Sequence, residues 1–214
     1  SLTKRSLKES IPKELFNRSY TRSLAHLALD LLVVAGAWLA MRALVTAAPS
    51  LAPIALPAYW FYQGLSLTAL WVIAHECGHG GFTDSKRLND CVGFVLHSAL
   101  VTPYFSWAIT HAKHHHYTNH MTEGETWVPS TANPNKKSVR FAKSVAGTWQ
   151  RIISVALVGW YTYLFVNATG SRQNLGQSHF SPSSRALFKP KDRMYVLASN
   201  GGCLLALAVL AACV

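Results

Sequence analysis

The sequence predicts an all-α fold, an integral membrane helical bundle with a cytoplasmic histidine-rich cap. Three observations predict it. Half of the residues are hydrophobic and only 14% are charged, whereas soluble domains carry about 25% charged residues. The charges are segregated, with none between Arg42 and His75. Finally, seven of the ten histidines fall into two clusters: His75 and His79, then His111, His114, His115, His116 and His120.

The elements follow in order. Residues 1–23 are polar and basic and read as a cytoplasmic N-terminal segment. Ser10 and Pro12 suggest a short interfacial helix capped by Ser10, with Pro12 in its first turn. The domain proper is expected over 24–214. Its first span is expected at about 24–45, long enough for a hydrocarbon layer of about 30 Å, with His26 and Asp30 near the surface or against a partner helix. Pro49, Pro53 and Pro57 mark a turn. A second span is expected at about 54–74, with Tyr59, Trp60, Phe61 and Tyr62 as an aromatic belt at one end. The run 91–110 is apolar but holds His97 and Pro103. A single crossing there would separate the histidine clusters, so it reads as one buried or surface-lying helix. The run 152–166 is short and aromatic and reads as interfacial or re-entrant. A third span is expected at about 194–214. Residues 121–148 and 167–193 read as cytoplasmic loops.

The net charge of +11 has three ordinary readings: nucleic acid, anionic lipid, or cytoplasmic loops. Lys4, Arg5, Lys8, Lys13, Arg18 and Arg22 precede the first apolar run, and thirteen basic residues follow Gly81. That is a loop-and-span distribution without a basic recognition helix, and it argues against nucleic acid. It also places the N-terminus and everything after His75 in the cytoplasm. Cys77, Cys91, Cys203 and Cys213 form no C-x-x-C pair, so neither a cysteine zinc site nor a disulfide is expected. The N-terminus lacks the pattern of a cleaved signal peptide.

The histidines carry the chemistry. Four residues of helix advance about 400°, so His75 and His79 share one face. His111, His114 and His115 fall within an arc of about 100°, and His116 and His120 fall on the far side. Neutral imidazoles so placed can bind metal, at the point where an apolar run ends. His75-Glu76-x-x-His79 is also the zinc-protease pattern. Those enzymes need a third ligand, often an Asp, from a later span, and no apolar run after His79 contains Asp or Glu. Glu76-x-x-His79 matches one half of a carboxylate-bridged di-iron motif. However, Glu9, Glu14, Glu123 and Glu125 have no histidine three residues on.

The boxes H-E-C-G-H at 75–79 and H-x-x-H-H at 111–115 resemble those of the histidine-box membrane fatty acid desaturases. The flanks sharpen the likeness: Thr102 to Trp107 before the second box, then Thr118-Asn119-His120, Glu123 to Thr126 and Val128-Pro129 after it. With Gly159-Trp160-Tyr161, Asn167 to Gly170, His179-Phe180 and Pro182, they resemble the fungal acyl-lipid delta-12 (oleate) branch. The resemblance implies the following expectations. His75, His79, His111, His114 and His115 bind two iron ions, with no catalytic side chain beyond these ligands. Glu76 and Cys77 belong to the first box without being ligands. The reaction is desaturation of an oleoyl group on a membrane phospholipid to linoleoyl, using O2 and electrons from cytochrome b5. The setting is the endoplasmic reticulum membrane, crossed several times. An omega-3 desaturase, a hydroxylase or an acetylenase shares these boxes. The family has a third H-x-x-H-H box, and nothing here matches it. The chain therefore reads as an N-terminal part, expected to be inactive alone.

Overall fold

The computed structural model describes residues 3–128 and 137–213. Pro129 in the stretch after the second box and Val214 at the end of the last apolar run lie outside them. Among the described residues every regular element is helical. The chain divides into two compact units, Ser1–Leu100 and Val101–Val214, each contiguous in sequence.

In the first unit a short helix, α1 (Lys4–Glu9), starts at Thr3, whose hydroxyl accepts from the Ser6 amide. Ser10 caps the C-terminal end of this helix and does not begin one. Pro12 precedes a single 3-10 turn, Lys13–Phe16. The expected helix start is thus displaced, because Thr3 and Ser6 form the capping pair that the Ser10–Pro12 reading overlooked.

Helix α2 (Tyr20–Ala47) begins at Ser19, whose side chain accepts from the Arg22 amide. Pro49–Leu51 forms a 3-10 turn, and α3 (Ala52–Gly78) returns against α2. Helix α4 (Lys86–Ala99) packs on α3. The core of this unit is Leu70, Ala74 and Leu96, covered by Leu27, Val34, Leu67, Ile73, Val92 and Leu100. Gln63 Nε2 donates to the Val34 carbonyl at 3.1 Å. Arg18 pairs with Asp84 at 2.7 Å, and the Ser23 hydroxyl donates to the Phe82 carbonyl at 2.6 Å. These two contacts tie the entry of α2 to the loop that follows α3.

The second unit starts with α5 (Tyr104–His116). The run 91–110 is not one helix. Leu100 caps α4, Val101 takes a φ of +54°, and Pro103, which has no amide hydrogen, precedes α5. The expected loop 121–148 also contains helix: α6 (Lys137–Ala142) and the start of α7 (Val145–Ser154). Helix α7 continues through one π-helical stretch, Val155–Gly159, into α8 (Trp160–Val166). The 152–166 run is therefore the later part of a longer bulged helix. Helix α9 (Arg193–Ala212) packs on α5. Leu187, Phe188 and Val196 form a core with Ile109. The first turn of α5 is capped from outside, since the Ser199 hydroxyl on α9 accepts from the Phe105 amide at 2.9 Å.

Taken singly, two described helices are long and apolar enough to cross a membrane, Tyr20–Ala47 and Pro190–Ala212. Exposed leucines and aromatics cover both, including Leu31, Leu32, Trp38 and Leu39 on the first and Leu204, Leu205 and Leu210 on the second. A bilayer is the solvent such surfaces fit. Helix α3 runs through the expected 54–74 segment but is not among these two helices. Tyr59, Trp60, Tyr62, Gln63 and Ser66 dilute its apolar content.

Candidate metal centre

The first histidine pair sits where α3 ends. His75 lies in its last turn and His79 is the C-cap. The turn closes because Gly80 takes a φ of +67°, which glycine tolerates, and the Gly81 amide reaches back to the Glu76 carbonyl at 2.8 Å. The two Nε2 atoms stand 3.2 Å apart. His75 Nδ1 donates to Glu76 Oε1 at 3.0 Å, and its ring stacks on Trp71 at 5.7 Å. His97 is fully buried in this unit, with Nε2 3.2 Å from the Trp71 carbonyl.

The second group sits at the C-terminal end of α5. His111 and His115 bring their Nε2 atoms to 3.1 Å. His111 also stacks on Trp107, which is almost wholly buried. The His114 ring lies 5.8 Å from His111 and 5.6 Å from His115, centroid to centroid. Its Nδ1 donates to the Glu125 carbonyl at 2.8 Å. His116 packs edge-on against Tyr117. His120 Nδ1 accepts from the Glu123 amide at 3.0 Å and the Thr122 amide at 3.3 Å, and so closes a turn.

Both pairs fit a metal ion. Two nitrogens about 2.1 Å from one ion and at a right angle to each other stand about 3 Å apart, the spacing both pairs show. Fixing Nδ1 through a hydrogen bond leaves Nε2 as the ligand atom, and Glu76 does this for His75 while the Glu125 carbonyl does it for His114. The donor set is imidazole, which suits iron as well as zinc and copper.

Two buried polar clusters support the second group. Glu125 is wholly buried. Its carboxylate accepts from Lys113 Nζ at 2.9 Å, from Asn167 Nδ2 at 3.2 Å, and from Asn174 Nδ2. Asn167 holds a left-handed φ of +50°. A Cβ at Gly170 would collide with the Asn167 amide group. In the other cluster, His179 Nδ1 donates to the Leu164 carbonyl at 3.2 Å. His179 Nε2 lies 3.1 Å from the Tyr163 hydroxyl and 3.2 Å from the Thr110 hydroxyl. The Tyr163 hydroxyl also meets Thr126 Oγ1 at 3.1 Å. Burial pushes His179 down to about 4, against 6.5 for a free imidazole, and raises the Tyr163 phenol.

Sequence reasoning placed His111, His114 and His115 on one face, and the structure groups them. It missed Glu76, Glu125, Asn167, Asn174 and Tyr163 as partners of the site. Of these, Glu76 stood in the first box, and Glu125 and Asn167 stood in the flanking stretches that carry the resemblance, with no role assigned to them.

The sequence matches the fatty acid desaturase family model over residues 51–214. It is 36% identical over 205 residues to the Delta(12) fatty acid desaturase FAD2 of Calendula officinalis, covering 95% of this chain and 53% of that protein. It is 37% identical over 225 residues to the Delta(12) fatty acid desaturase of Mortierella isabellina, covering 97% and 56%. It is also 37% identical over 202 residues to the bifunctional fatty acid conjugase/Delta(12)-oleate desaturase of Punica granatum, covering 92% and 50%. The chain spans about half the length of the curated relatives it matches. No solved structure matches it.

Proposed function

The chain belongs to the fatty acid desaturase family, and from that premise we propose that its protein desaturates a membrane acyl chain, converting oleoyl to linoleoyl on a phospholipid. His75, His79, His111, His114 and His115 would hold two iron ions. The observation that carries this reading is the pairing of ring nitrogens, 3.2 Å in one box and 3.1 Å in the other, at the spacing of neighbouring ligands on one ion. Family membership leaves no place for the protease reading of His75-Glu76-x-x-His79.

Bound iron would supply the oxidising power: with O2, two electrons and two protons, two hydrogens leave the acyl chain and two waters form. The residues present do the rest. Glu76 and the Glu125 carbonyl set which nitrogen of His75 and His114 faces the metal. Trp71 and Trp107 hold the planes of the His75 and His111 rings by stacking. A site at the end of an apolar helix suits a hydrocarbon substrate. We assign cytochrome b5 as the electron donor and the endoplasmic reticulum as the membrane, with both boxes on the cytoplasmic face. The basic segments at 1–23 and after Gly81 support that side. Delta-12 chemistry rests on the names of the relatives, among which a conjugase also stands.

The test uses the full-length protein in a yeast lacking its own desaturase. His75→Ala, His79→Ala, His111→Ala, His114→Ala or His115→Ala should each abolish linoleate. His116→Ala should keep substantial activity, because that ring packs on Tyr117. Zinc in place of iron in the purified protein, or an inactive His116→Ala beside an active His114→Ala, would refute the ligand set.

A further inference from the structure

Resting on the reading of His114 as a metal ligand, we propose that Glu125 is a positioning residue for His114. Its buried carboxylate folds the segment after α5 back onto the helix, so that its own carbonyl takes the hydrogen bond from His114 Nδ1.

Glu125 touches two adjacent residues of α5 by different routes. Its side chain accepts from Lys113 Nζ at 2.9 Å, and its carbonyl accepts from His114 Nδ1 at 2.8 Å. Nothing in helical periodicity brings a residue eleven positions on to this place, and its buried side chain is one of the groups that hold it there. A carboxylate taken wholly out of water is costly unless several donors meet it. Here three do, and they come from two stretches of chain: Lys113 on α5, then Asn167 and Asn174 after α8. Three donors on two oxygens leave this carboxylate acting only as an acceptor.

The backbone between them is forced. Asn119 takes a φ of +62° and Thr126 a φ of +64°. For a β-branched threonine that conformation is unfavourable and persists only where neighbours impose it. Thr126 is tied on both sides: its hydroxyl meets Tyr163, and its carbonyl accepts from the Thr169 hydroxyl. The Val128 amide donates to the Thr169 carbonyl at 2.9 Å. Strain of this kind beside a metal ligand fits a segment whose job is to deliver one carbonyl to one imidazole. The effect at the site is to keep the His114 proton on Nδ1 and leave Nε2 for metal.

The experiment measures how fast a ferrous chelator strips iron from purified full-length protein. Four forms are compared: wild type, Glu125→Gln, His114→Ala and the double variant. Glu125→Gln should speed iron loss about ten- to a hundredfold, the range for partners that orient a ligand, and His114→Ala at least as much. Glu125→Gln should add nothing further in the His114→Ala background. If His114→Ala loses iron at the wild-type rate, His114 is not a ligand and the underlying reading fails. If His114→Ala is fast while Glu125→Gln matches wild type, the positioning role alone fails. It also fails if Glu125→Gln adds its full factor to His114→Ala, for then it acts on the fold at large. Should Glu125→Gln not accumulate, Asn174→Ala removes one of the three donors and enters the same cycle, with the same outcomes deciding.

Discussion

Glu125 and His179 show how single side chains after the second box are committed. Both are wholly buried, and each is met by groups that only the folded second unit brings together. Gly170 is the tightest point of the first arrangement. Gly170→Ala would drive a methyl into the Asn167 amide and push that amide off Glu125. Overpacking of this sort costs about 1–3 kcal/mol, so the melting temperature in detergent should fall by several degrees. An unchanged midpoint would show that Asn167 has room to move. His179 gives a pH dependence. Its folded value of about 4 lies below the 6.5 of the free side chain because burial disfavours the charged ring. Between those values the unfolded chain binds a proton that the folded chain refuses. Stability from this group is complete above about pH 6.5, falls as pH drops toward 4, and is level below. From pH 7 to pH 5 the loss is about 2 kcal/mol. His179→Gln, neutral throughout, should flatten that part of the stability–pH curve. An equal slope in the variant would assign the acid sensitivity elsewhere.

At the scale of elements, the long apolar helices were the most legible part of the sequence. The apolar run expected at about 24–45 covers most of α2, and the first box marks the end of α3. Less legible were the elements whose limits depend on distant groups. The start of α5 needs Ser199 from a helix some ninety residues on, which no local pattern announces. Pro103 did announce a break in 91–110, but the apolar run masked it. Helices α6 and α7 lie in a polar stretch whose composition resembles a loop. The Ser199 contact is testable: Ser199→Ala leaves the Phe105 amide without its acceptor and should cost about 1 kcal/mol. Hydrogen exchange at Phe105 and Ser106 should quicken more than exchange at the far end of α5. Uniform protection along α5 would mean that Ser199 is not its cap.

For the whole molecule, the membrane reading makes a prediction of its own. Glycosylation acceptor sites introduced at residue 50 should be modified, and sites at 84 or 120 should not, because a charge at the bilayer centre costs about 2.5–3.5 kcal/mol and the uncharged stretch 43–74 is where lipid is expected. Modification at 120 without modification at 50 would invert the topology. The grouping of imidazoles within each box was visible in the sequence, because helical spacing alone places two or three of them together. The cluster around Glu125 was not, since Glu125, Asn167 and Asn174 meet only after the chain between them has folded.

On the proposed iron reading, the order in which the two contiguous units are made bears on which metal the boxes take up. A ribosome adding about 5–20 residues per second completes residues 1–100 on the order of ten seconds before the end of the second unit appears. During that interval the His75–His79 pair exists before the second unit, which carries the second box, is complete. An isolated pair of imidazoles follows the intrinsic affinity order, in which copper and zinc outrank ferrous iron. With the proposed ligands divided between an early unit and a late one, neither half offers a competitor metal a full coordination sphere during synthesis. On the proposed reading of the boxes as iron ligands, metal selection would then fall to the finished chain, and mismetallation would be a hazard of slow or interrupted translation, with no change needed in any ligand.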